Sequence, residues 1–80
     1  MDPDVLDEAI ARRLTHWFEP QEPFSGAEVF VLLMEEEHLE PDPEEVYDAL
    51  SRMAEGRKLG LRPLHGRSTP PWERLYVFGP

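Results

Sequence analysis

The groups able to do chemistry in this 80-residue chain are carboxylates, three histidines, a handful of hydroxyls and a basic C-terminal stretch. His16, His38 and His65 lie far apart, with no His-x3-His spacing and no cysteine beside them. Solvated or capping histidines are therefore expected rather than a zinc centre. Glu35-Glu36-Glu37 and the acids around Asp42 offer hard oxygen donors, but lack the alternating ligand spacing and central glycine of a calcium loop. No base stands in a recognisable relation to Thr15, Ser25, Ser51, Ser68 or Thr69, and a nucleophile needs one. Gly56-Arg57-Lys58-Leu59-Gly60 is too short for a phosphate loop and lacks its Lys-Ser/Thr ending. The expectation is a non-enzymatic protein with no catalytic residue, no metal and no cofactor.

Charge is where the chain is distinctive. Residues 1–50 carry fifteen Asp and Glu against two Arg, a balance of −13. Residues 51–80 carry six cations, Arg52, Arg57, Lys58, Arg62, Arg67 and Arg74, against Glu55 and Glu73, a balance of +4. The two sum to the net −9. Such asymmetry suits a protein that presents one polarity to a partner and the other to solvent.

Eighty residues make one domain, and a chain of that size buries only about three-fifths of its unfolded surface. Hydrophobic residues at 40% are enough for a core. The absence of cysteine excludes disulfides and thiolate chemistry. No apolar run approaches the roughly 20 residues of a membrane span, and the acidic start Met1-Asp2-Pro3-Asp4 has the wrong sign for a secretory signal. A cytoplasmic protein with no membrane partner is expected. Seven Arg against one Lys, no Asn, one Gln and nine Pro match a thermophile bias; a GC-rich genome would give much the same pattern.

The elements that must position these groups follow from caps and periodicity. Asp2-Pro3 opens a first helix, with Val5, Leu6, Ala9, Ile10, Leu14, Trp17 and Phe18 as its apolar stripe. Pro20 disfavours helical geometry before it, so the helix covers about 3–19. Ser25-Gly26-Ala27-Glu28 has capping-box spacing, which predicts a second helix over about 26–37 through Val29, Phe30, Leu32, Leu33 and Met34. Its acidic end, Glu35 to Glu37, opposes the helix dipole and implies either a solvated terminus or an acidic surface. Asp42-Pro43 opens a third helix over about 43–55, closed by Gly56. Leu59 and Leu61, then Trp72 to Phe78, alternate as in two strands, over about 58–64 and 72–78. The predicted class is mainly α with a small β-hairpin.

Three short helices followed by a hairpin resemble a winged-helix domain, a helix-turn-helix variant common among bacterial transcription regulators. The resemblance rests on Val46-Tyr47-Asp48-Ala49-Leu50-Ser51-Arg52-Met53-Ala54-Glu55-Gly56 with Leu59-Gly60-Leu61, and on Ser25-Gly26-Ala27-Glu28-Val29. It implies a third helix entering the DNA major groove and a hairpin, the wing, touching the backbone. By position, Glu44, Glu45, Asp48, Arg52 and Glu55 would form the exposed face of that helix. Four of the five are acidic, which works against phosphate contact.

The wing instead gathers Arg57, Lys58, Arg62, Arg67 and Arg74, with Trp72 and Tyr76 nearby. These arginines either contact a partner or pair with the acids of the first fifty residues, readings of about equal weight. Trp72, after Pro70-Pro71, is the best candidate for an exposed contact, although packing on the first helix is the simpler role. Trp17, Phe18, Phe24 and Phe30 are expected in the core. Two functions follow: a transcription-associated protein contacting DNA through its wing, or an adaptor without DNA binding that docks through the wing or the acidic helices on a protein, for example one of the transcription machinery. Any homodimer would use the Trp17-Phe18 end of the first helix or the hairpin edge.

Overall fold

A computed structural model describes residues 2–64 and 69–79. Helix α1, Pro3–Trp17, starts where Asp2 accepts the Asp4 N–H at 2.9 Å. It ends two residues before the position expected from Pro20. Phe18 leaves the helix in an extended conformation and stacks on Phe24, with centroids 4.5 Å apart and ring planes within 9°. An offset ring pair adds about 0.5–1.5 kcal/mol beyond the area it buries, so the helix gives up its last residues to tertiary packing. Glu19 donates its N–H to Glu22 Oε1 at 2.8 Å and fixes the turn that follows.

Helix α2, Gly26–Glu36, is capped by Ser25, whose hydroxyl accepts the Glu28 N–H at 3.2 Å. The reciprocal Glu28 contact reaches the Ser25 hydroxyl rather than its backbone. The helix ends at Glu36, one residue short of the expected 37, and the chain then turns at His38, which takes the left-handed conformation (φ 55°). Leu39 then donates back to the Leu33 carbonyl at 3.2 Å. Helix α3 spans Pro43–Glu55, matching the caps read from sequence.

The hairpin is shorter than expected and belongs to a three-stranded sheet. Strands β1 (Phe24–Ser25), β2 (Arg62–Pro63) and β3 (Leu75–Val77) form an antiparallel sheet ordered β1-β3-β2. Phe24 opposes Tyr76, and Arg62 opposes Val77. The start of the first expected hairpin strand is a 3₁₀ turn, Lys58–Gly60, with Arg57, Leu59 and Gly60 at positive φ. Pro71–Glu73 is a second such turn. The expected alternation in the last strand gives way to three successive buried residues, Tyr76 and Val77 within β3 and Phe78 just beyond it.

The core joins Leu6, Ile10 and Leu14 of α1 to Val29 and Leu33 of α2 and to Val46, Ala49, Leu50 and Met53 of α3. Phe18, Phe24, Leu61, Tyr76 and Phe78 close it from the sheet side. Val5 and Met34 fall outside, both exposed. Trp17 and Phe30 are half-buried at its edge. Among the described residues no helix is long and apolar enough to cross a membrane.

Candidate functional site

The structure divides the basic residues among different tasks. Arg52, expected on the free face of α3, turns towards α1 and grips Asp7 through two contacts, Nη2–Oδ1 at 2.8 Å and Nε–Oδ2 at 3.4 Å. The Asp7 hydrogen bond holds the Arg52 guanidinium above its ordinary pKa, with the nearby Asp7, Asp48 and Asp4 charges adding to the effect. Arg12 and Arg13 reach Glu37 at 3.5 and 3.7 Å, and Arg13 also reaches Glu36 at 3.5 Å. The Trp17 indole N–H donates to Glu36, and Arg13 lies over the Trp17 ring at 5.8 Å. The acidic end of α2 is thus largely answered by α1, which offsets the unfavourable dipole there.

In the hairpin, Arg62 donates to Gln21 Oε1 at 2.6 Å, and Arg74 donates from Nε to the Thr69 carbonyl at 3.0 Å. Arg74 thereby ties β3's approach to the backbone at Thr69, across the Pro71–Glu73 turn. Arg57 and Lys58 are exposed and make no ion pair among the described residues. Arg67 and His65 lie outside the described residues. On α3, Glu44, Asp48 and Glu55 are exposed, while Glu45 is half-buried. Glu45, Asp48 and Arg52 border a shallow depression with Pro3 and Leu6, so that side of α3 faces the start of α1. Among the described residues, Arg57 and Arg62 border a pocket with Ala54 at the C-terminal end of α3, while Arg52 turns to Asp7 and Arg74 to Thr69.

The feature that sequence reasoning missed lies at the other side of α3. Asp42, Pro43, Glu44 and Tyr47 form one wall of an open groove of about 490 Å³, and Pro71 and Trp72 form the other. Trp72 is 55% exposed, so the simpler expectation, packing on the first helix, is corrected. The 3₁₀ turn that carries Trp72 packs on α2. Prolines at both turn entries, Pro43 and Pro71, fix the backbone on either side.

Tyr47 is held by a close approach. A Cβ on the buried Gly26 would lie 2.7 Å from Tyr47 Cδ1 and 3.0 Å from Cε1. Only glycine at the start of α2 lets the ring sit there. Asp42 differs from its counterpart Asp2, since it makes no side-chain capping hydrogen bond and leaves its exposed carboxylate at the groove. A signal for this site was present in the sequence as the repeated Asp-Pro opening and the Pro70-Pro71-Trp72 run, but it joins segments thirty residues apart.

Among the described residues no group of three His, Asp or Glu side chains is arranged to hold a metal ion. No family model, curated protein or solved structure matches this chain.

Proposed function

We propose that this protein is a non-enzymatic, winged-helix-type interaction module of gene regulation that docks on a protein partner. The observation that carries the reading is the disposition of its cations. Arg12, Arg13 and Arg52 are engaged by carboxylates, and Arg74 by a loop carbonyl. DNA affinity comes chiefly from neutralising phosphates with Lys and Arg, and the helix that would enter the groove presents Glu44, Asp48 and Glu55. An exposed tryptophan flanked by a half-buried tyrosine is instead the composition of a protein-binding hot spot. The order of three helices and a terminal antiparallel strand pair supports the winged-helix resemblance. A cytoplasmic setting accords with that resemblance and with the cysteine-free composition.

One observation favours DNA as a second reading. Arg57 and Arg62 border one pocket at the entry to β2, with the exposed Lys58 next to Arg57 in the chain. Fluorescence anisotropy of a labelled mixed-sequence duplex decides between the two. The adaptor reading expects no binding at low salt, where phosphate attraction is strongest. Binding that weakens with salt along a log–log slope near −0.9 per phosphate contact would replace it with the DNA reading.

A further inference from the structure

We propose that the groove between α3 and the Trp72 turn binds a proline-rich peptide segment carrying an arginine or lysine beside its prolines. The assignment deepens the adaptor reading and rests on it. Its first support is the chemistry of the walls. Tyr47 and Trp72 offer aromatic faces, and Pro43 and Pro71 offer rigid apolar edges. An aromatic-lined groove suits an extended polyproline segment, which is already ordered before binding and so gives up little entropy. A strand-like ligand would instead need a free backbone edge, and none of the sheet strands borders this groove.

The second support is charge. Among the described residues, the groove is bordered by the exposed acids Asp42 and Glu44 and by no cation. Asp42 is the N-terminal flanking residue of α3, yet its carboxylate does not cap the helix, whereas Asp2 in the matching position of α1 does. A cation next to the ligand's prolines would find that carboxylate unoccupied by the local backbone. Hydrogen bonds between arginine and carboxylate are charge-assisted and directional, so they set orientation along the groove as well as adding affinity.

The third support is that the site is built in advance. Gly26 admits the Tyr47 ring at a distance no other residue would allow, and Pro71 starts the turn that presents Trp72. Preorganised walls reduce the ordering that binding would otherwise require.

The test is anisotropy of a fluorescein-labelled proline-rich peptide ending in arginine, titrated with the full chain. Saturable binding is expected. It should weaken by about tenfold or more in Trp72→Ala, the usual range for a central interface tryptophan. Asp42→Asn, which removes no helix cap, should weaken the arginine peptide while leaving a proline-rich peptide without a cation unaffected. Circular dichroism checks that both variants keep the helical fold. Three results would each overturn the assignment: no saturable binding, equal affinity in Trp72→Ala, or equal affinity for a peptide with glutamate in place of arginine. If the peptide fails while duplex DNA also fails to bind, the groove is wrongly assigned and the adaptor reading stands. Duplex binding would remove that reading itself.

Discussion

At the scale of single residues, two glycines carry more of the structure than any charged group. Gly26 gives way to the Tyr47 ring, and an added Cβ would meet ring carbon at 2.7 Å. Gly26→Ala should cost about 1–3 kcal/mol, the range for overpacking. Urea unfolding reads the loss, and the peptide affinity should fall with it because the groove wall shifts. Gly60 is less forgiving. It combines φ +71° with a Cβ position only 2.3 Å from the Gly79 carbonyl oxygen, which is backbone and has little room to yield. Gly60→Ala should therefore destabilise more than Gly26→Ala, and a smaller effect would mean the 57–60 turn is not clamped on Gly79. Neither role is legible in the sequence. Gly26 reads as part of a cap and Gly60 as part of a strand, since both close contacts join segments far apart in the chain.

At the scale of elements, legibility tracks locality. Helix α3 begins at Pro43, whose ring suits the first helical position, and ends at Glu55 before Gly56, because both signals act within a single turn. Helix α1 ends early because Phe18 leaves to stack on Phe24, a contact no local pattern encodes. Strand β1 is invisible in sequence for the same reason. Two residues carry no periodicity, and Phe24–Ser25 becomes a strand only by pairing with β3.

Packing of α3 on α1 and α2 dominates the energetics at this scale. Leu50 is fully buried, and Leu50→Ala should cost roughly 2–5 kcal/mol in chemical denaturation. The Arg52–Asp7 bridge between α3 and α1 is a smaller term. Both partners are partly exposed, at 44% and 21%, so a double-mutant cycle should return about 0.2–1 kcal/mol and shrink with added salt. A coupling that salt leaves unchanged would place the pair in a drier environment than its exposure indicates.

For the whole molecule, the split of −13 against +4 does not become two opposed faces. Arg52 crosses back to the acidic half, and the acids ending α2 take Arg12 and Arg13 from within that half. Among the described residues, Arg57 and Lys58 form no ion pair, Arg62 lies nearby against Gln21, and Trp72 stands exposed at the groove beside α3. Replacing Arg57 and Lys58 together by glutamate should leave thermal stability and peptide affinity near their starting values, since neither residue forms an ion pair among those described. A large fall in peptide affinity would move the docking surface to that turn.

The central claim, that this fold presents a protein-docking groove at Trp72, is tested most directly by two-dimensional ¹H–¹⁵N NMR during titration with the arginine-bearing proline-rich peptide. Two indole N–H signals report on different surroundings, because Trp17 is tied to Glu36 while Trp72 borders the groove. The account predicts progressive shifts of the Trp72 indole and of the Glu44 and Tyr47 amides, with the Trp17 indole and the 57–62 amides unmoved. A silent Trp72, or shifts concentrated on Arg57, Lys58 and Arg62, would contradict it.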